Sequence, residues 1–407
     1  MCRQPNAGRE INVMSKATST ISHKQTPSPA QSLFMRPLLL LAFLLAVFQC
    51  AYLPARAQIL NDRPTLALIQ KDINYIYNNE FEEAHAIGQQ IQAKYPDHPV
   101  TYFLKAFQMH WQYLPIKDNK AKVGEYIRTL NQCLVAVDKH YGKNSKEPEA
   151  VFFTMASRGY LALMYNYQEE LLKAAGEAQK AYGSLTEGLK LVDKNPEFYF
   201  VAGMYNYYVE SYPEDHPIVK PVMLFFKDGN KALGLKQLDT ATRLATITKV
   251  ESAYFLAHIY LEHEARPDLA DNYTARLNAT YPSNLVFKMI HLEALILAGR
   301  YDEAEKGLPE LKKRTTGFYP IAWHAFEGMI AEKRDKNDAE AQKEYLAALK
   351  TPYDMQYTRE YHAMSYAGLA RIADRSGNRT KAREYYKKCL DLTEYLALKR
   401  EAKVYLK

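Results

Sequence analysis

A short polar hairpin followed at fixed offset by an alanine recurs four times in this chain, at Asn79 to Ala84, Gly299 to Ala304, Lys336 to Ala341 and Gly377 to Ala382. A first helical stretch precedes each hairpin, and apolar residues three or four apart follow it. This is the inner turn of a helix pair. A repeated helix pair cannot bury its apolar stripe alone and must stack on its neighbours, so the expected fold is all-α, an α-α superhelix rather than a catalytic globule. The spacing predicts seven or eight helix pairs with a proline-broken central connection, and strand signals are nearly absent.

The copies differ in quality. Leu68, Asp72 and Tyr75 mark a first helix, Asn79 the turn, Ala84 and Ile91 the second helix, and Tyr95-Pro96 its end. The last copy runs through Tyr366, Leu369, Ala370, Ala373, Gly377, Ala382, Tyr386 and Cys389. Two others use Leu292, Leu295, Gly299, Ala304, Leu308 and Leu311, then Trp323, Gly328, Ala341, Tyr345 and Ala348. These offsets resemble the tetratricopeptide repeat, with its small residue, aromatic, alanine and closing proline over about 34 positions. Asp72 and Gly88 depart from that pattern. The resemblance covers most of residues 65–395 and is similar to a divergent exported bacterial branch of that superfamily. A central stretch of about fifty residues is also faintly similar to the eukaryotic outer-mitochondrial and lipid-droplet-associated tetratricopeptide family.

Residues 35–57 have the parts of a secretory signal peptide: Met35-Arg36-Pro37, the apolar run Leu38 to Phe48, and Ala55-Arg56-Ala57. That run is about a dozen residues, short of the roughly twenty needed to span a bilayer. Translation from Met35 and cleavage after Ala57 are expected, which makes residues 1–34 a non-native or disordered extension; an uncleaved anchor is the rival. Lipidation of Cys50 is disfavoured because Val47-Phe48-Gln49 precedes it. The formal charge of +7 is largely a property of this segment, since residues 1–57 carry six basic groups and one acid and the remainder carries 47 and 45. A near-neutral chain gives no electrostatic case for nucleic acid. Beyond the signal, residues 58–197 read as an N-terminal repeat block, 198–250 as a central Tyr/Pro-rich insertion and 251–407 as a C-terminal repeat block.

Cys133 and Cys389 are expected as separate buried thiols, with no metal spacing around them. No zinc motif, P-loop, nucleotide-binding turn or nucleophile elbow is present, so no catalytic, cofactor or metal residue is assigned. The resemblance implies a partner groove along the first helices. Its lining positions map to Met364, Ala367, Arg371, Asp374 and Arg375, and to Val100, Phe103, Phe107, His110 and Trp111. Arg371 and Arg375 are suited to pinning a peptide carboxylate, or are a solvated helix face beside Asp374. The apolar set is equally suited to packing on the next repeat. Tyr205 and Tyr212 share a core-like stripe, whereas Tyr207 and Tyr208 point elsewhere as a candidate aromatic surface.

The expected function is an exported, non-enzymatic scaffold, in the periplasm or outside the cell, that holds a protein or peptide partner. A glycan-binding outer-membrane protein and a helical-barrel hydrolase are the alternatives.

Overall fold

The computed structural model describes residues 58–215, 220 and 226–407; the expected extension, the signal peptide, Cys2 and Cys50 lie outside the described residues. Among the described residues there are seventeen α-helices and no strand. They pack in succession as α1 (Arg63–Tyr77) on α2 (Phe81–Lys94), α3 (Pro99–Gln112) on α4 (Lys120–Tyr141), α5 (Pro148–Tyr167) on α6 (Leu171–Leu189), and α7 (Phe198–Asp215) on α8 (Lys231–Leu244). The series continues with α9 (Lys249–Glu262) on α10 (Pro267–Thr280), α11 (Leu285–Leu297) on α12 (Tyr301–Lys312), α13 (Tyr319–Lys333) on α14 (Asp338–Ala348), and α15 (Arg359–Arg375) on α16 (Arg379–Leu392). A last helix, α17 (Leu396–Leu406), covers the end of the array. None of these helices is long and apolar enough to cross a membrane.

The hairpin signal has a stereochemical cause. Asn79, Glu169, Ala265, Gly299, Lys336 and Gly377 all adopt positive φ between 49° and 80°, each just past the end of a first helix. That left-handed residue reverses the chain, and the next amide reaches back to a helix carbonyl, as from Glu80 to Tyr75 and Arg300 to Leu295, both at 2.9 Å. Five residues after each turn stands an alanine: Ala84, Ala174, Ala270, Ala304, Ala341 and Ala382. All but the half-buried Ala174 are fully buried, because a larger side chain there would hold the two helices apart. Among the described residues the device therefore occurs six times rather than four. Glu169 and Ala265 leave no mark of it in the sequence, because neither is a residue that favours the left-handed region.

Tyr345 shows how pairs stack. Its ring on α14 lies against Gly328 of α13 and Gly368 of α15, where a Cβ on either glycine would collide with it. Its hydroxyl donates to Glu332 Oε2 at 2.8 Å. One aromatic thus fills the gap between successive pairs.

The central segment contributes a helix pair of its own. α7 and α8 cross at Gly203 and Gly234, so closely that a Cβ on Gly234 would lie 2.6 Å from the Tyr207 amide nitrogen. Pro213 sits in the last turn of α7, where its missing N–H and ring disturb little further helix. Glu197, just before α7, receives the amides of Thr246, Ile247 and Thr248 at 2.6–3.1 Å and so ties the central pair to the start of α9.

The array also meets itself. The end of α1 docks on the turn between α10 and α11, where Asn284 Nδ2 donates to the Tyr77 carbonyl at 2.7 Å, Tyr281 donates to Asn74 at 2.8 Å, and the Ser283 amide donates to Asn78 at 3.1 Å. Farther on, Lys117 pairs with Asp354 at 2.6 Å. Residues some two hundred positions apart are thereby joined. Cys133 and Cys389 are free, buried and separate, and burial pushes both thiols up to about 12.

Candidate functional site

The arginine groove expected on α15 is closed by the protein's own acids. Arg371 Nε and Nη2 donate to the two Glu332 oxygens at 2.8 and 2.7 Å, and Nη1 donates to Glu401 at 2.9 Å. Arg375 adds a bond to Glu332 at 3.1 Å and a forked pair to Asp338, while Asp374 accepts from the Tyr405 hydroxyl at 2.6 Å. The Glu332 side chain is entirely buried; its burial opposes ionisation, but Arg371 overcomes this and holds the carboxyl at about 2. Arg371 is therefore no free clamp, while Asp374 and Arg375 stay exposed on the helix surface. Glu332 on α13 makes this cluster a structural clasp.

Tyr207 is likewise corrected from surface to core. It is fully buried; its hydroxyl donates to Glu264, just past the end of α9, at 2.5 Å, and Lys231 covers its ring. Tyr208 is half-buried, edge-on to Tyr207 with ring centres 5.3 Å apart. Tyr205 is buried as expected, but Tyr212 is exposed, since the stripe runs out of packing partners at the Pro213 end of α7. Val100, Phe103, Phe107, Met364 and Ala367 are core residues.

His110 and Trp111 have a different fate. They stand at the end of α3 among rings that four other first helices or their approaches supply: Tyr77 from α1, Tyr160 from α5, Tyr254 from α9, and Phe287 from α11, with Tyr281 just before it. Tyr77 contacts Trp111 at 5.0 Å between ring centres and Phe107 at 5.3 Å; Trp111 contacts Phe287 at 5.5 Å, Phe287 contacts Tyr254 at 6.0 Å, and His110 contacts Tyr160 at 5.8 Å. The result is a continuous aromatic wall across the array. Glu251 of α9 faces it and accepts a hydrogen bond from the Tyr160 hydroxyl at Oε1. Burial, reinforced by Glu197 and only partly opposed by Tyr160, pushes Glu251 up to about 7. Burial pulls His110 down to about 4, so its imidazole is neutral near pH 7.

Below this wall the same face of α9 carries His258 and Glu262, paired at 3.2 Å. Burial works against both charges, but the pairing wins: Glu262 is held below the ordinary carboxylate range and His258 above the ordinary imidazole range. Glu293 of α11 accepts from Tyr361 at 3.0 Å and Tyr395 at 2.5 Å, and burial raises it. Burial also raises Glu360 to about 7, against the pull of Arg359. His258 and Glu262 lie deep in the protein yet keep 26% and 23% of their side chains exposed, and Glu251, Tyr254, Trp111 and Tyr160 are half-buried too. These groups are touched by solvent rather than sealed in the core.

The sequence held a faint signal for this lining. Glu251, Tyr254, His258 and Glu262 follow one another at helical spacing along α9, opposite the apolar face formed by Ala253, Leu256 and Ala257. Among the described residues one group has the proximity to hold a metal ion, His324, Glu327 and Glu344, with donor atoms within 4.8 Å of one another. Glu344 is already bonded to His324 at 2.6 Å and Glu327 to Lys312 at 2.5 Å.

No protein-family model matches the chain, and no curated protein does. Among solved structures, it is similar to a human IFIT1 dimer with PPP-AAAA, at 15% identity over 80% of this chain and 69% of that one, with a TM-score of 0.41. It is also similar to the C-terminal part of a TPR repeat-containing protein from Cytophaga hutchinsonii, at 14% identity over 83% of this chain and 99% of that one, with a TM-score of 0.25. At those scores the likenesses add no argument of their own. The paired helices, left-handed turns and wedged aromatics themselves make the fold a tetratricopeptide-like array.

Proposed function

We propose that this chain is an exported, non-enzymatic scaffold of the bacterial periplasm that holds a protein or peptide partner against its inner face. The observation that carries the reading is the half-buried, solvent-touched row of aromatic and polar side chains along α3, α5 and α9. First helices are the elements that present such a lining in a stacked array. Export rests on residues 35–57, whose basic start, apolar run and small-residue end are those of a signal peptide. The glycan alternative loses its best candidate platform, because Tyr207 is buried.

Site-specific photo-crosslinking tests the reading. A photoreactive phenylalanine at position 254, inside, should yield a discrete polypeptide adduct in the source cell, and one at exposed position 180 on α6 should not. Equal adducts at both positions, or none inside, would overturn it. Mass spectrometry of the mature protein should find Gln58 at its N-terminus; an intact Met35 segment would remove export.

A further inference from the structure

Tyr345 and Gly328 fix the register of α13 against α14, because the ring packs where a Cβ on that glycine would stand. The residues just before each of them, Glu344 and Glu327, meet in the same place, and His324 stands one helical turn before Glu327 on the same face of α13. One imidazole and two carboxylates from two helices thus offer donor atoms that all lie within 4.8 Å of one another. His324 is already oriented, by Glu344 Oε2 at 2.6 Å from its Nδ1 and by the Trp323 ring, whose centre lies 3.6 Å from its own. All three side chains are half-buried, so an ion reaches them from solvent without entering the core. One positive group competes for the place: Lys312 donates to Glu327 at 2.5 Å, from a side chain 42% exposed. Lys343, the other ammonium nearby, is engaged by Glu340 at 2.8 Å and stands 3.9 Å from Glu344.

We propose that His324, Glu327 and Glu344 form a binding site for a divalent transition-metal ion of the zinc class, and that Lys312 is its charge placeholder when the ion is absent. An imidazole nitrogen and carboxylate oxygens bind such an ion at about 2.0–2.2 Å, which sets neighbouring donors about 3.4 Å apart in a tetrahedron. Carboxylate side chains make up the difference by rotation about their own bonds. The imidazole discriminates against Mg²⁺ and Ca²⁺, which take oxygen donors. Two carboxylates neutralise the ion, and the Lys312 ammonium, displaced from Glu327, turns into solvent along its flexible stem. Three protein donors leave a fourth position for water. An ion held by α13 and α14 together exists as a site only in the folded chain, so its binding stabilises the fold. None of these residues belongs to the row along α3, α5 and α9, and the site is independent of the partner reading.

Calorimetric titration of the full chain, first freed of metal with a chelator, should show saturable uptake of one Zn²⁺ that excess Mg²⁺ or Ca²⁺ leaves unchanged. Co²⁺ in its place should give the strong visible absorption of a four- or five-coordinate ion rather than the weak bands of the hydrated one. His324→Gln and Glu344→Gln should each weaken Zn²⁺ at least tenfold. Lys312→Met should tighten it severalfold, because the ammonium no longer competes for Glu327. Saturating Zn²⁺ should raise the thermal midpoint of the parent and leave that of His324→Gln unmoved. Circular dichroism checks that the variants keep their helix content, and Glu327→Gln serves in place of any ligand variant that fails to fold. No saturable uptake by the parent, or the same affinity in folded His324→Gln, would overturn the site and assign any zinc signal to the remaining histidines. A midpoint raised equally in parent and His324→Gln would do the same. Affinity unaltered in Lys312→Met would overturn the placeholder role.

Discussion

Arg371 illustrates how one residue's role depends on a partner remote in sequence. Its fork is matched by a carboxylate 39 positions earlier, and both belong to a network with Arg375, Tyr345 and Glu401. Removing the arginine would leave the fully buried Glu332 charge with weaker compensation, so Arg371→Ala should destabilise the fold by about 3–5 kcal/mol, measured by denaturant unfolding. Because Glu332 is held at about 2, below its ordinary value, its contribution is present above pH 4.5 and lost as pH falls toward 2; the variant should lack that acid limb. Gly368 is a second test at this scale. A methyl group there meets the Tyr345 ring, so Gly368→Ala should cost about 1–3 kcal/mol, and Tyr345→Leu in the same chain should recover part of the loss.

At the scale of the element, α9 has two faces with opposite demands. Ala253, Leu256 and Ala257 pack into the array, while Glu251, Tyr254, His258 and Glu262 look inward. Glu251 is raised to about 7 in the folded chain, so folding favours its protonated form. Its stabilising share is therefore complete below pH 4.5 and is lost as pH rises through 7, with Tyr77, Tyr126, Tyr160 and Glu197 as its titratable surroundings. Thermal unfolding of Glu251→Gln should accordingly match the parent near pH 5 and exceed it near pH 8, by an amount on the order of 2 kcal/mol. Glu360, raised to the same value, adds a parallel slope that Glu251→Gln leaves in place. The turns between helices belong to this scale as well. Four were legible because Asn, Gly or a Lys-Asn pair marked them. Glu169 and Ala265 adopt the same backbone under tertiary constraint, with no favourable residue to announce it.

Across the whole molecule, the contact between α1 and the α10–α11 turn sets how open the inner face can be. Asn284 serves both sides of that contact, capping α11 through the amides of Val286 and Phe287 and donating to the Tyr77 carbonyl. Asn284→Ala should cost about 2–4 kcal/mol, combining a lost cap with a stranded buried carbonyl. Hydrogen exchange should rise both at the end of α1 and at the start of α11; a rise confined to α11 would show that the closure is not cooperative.

The amino-acid sequence alone determined the helix pairs and their order, because apolar spacing, alanines and turn residues act within some forty positions of one another. Gly328, Tyr345 and Ala341 were readable for that reason, as were the two separate thiols. What only the tertiary structure decided are the meetings of distant charges and rings. Arg371 found Glu332, Tyr207 found Glu264, and Tyr77 came to lie beside Trp111 and Tyr281. Local periodicity records which face of a helix is apolar. It carries no information on which remote carboxylate or ring that face will meet once the array meets itself, and that pairing separates a binding surface from a structural clasp.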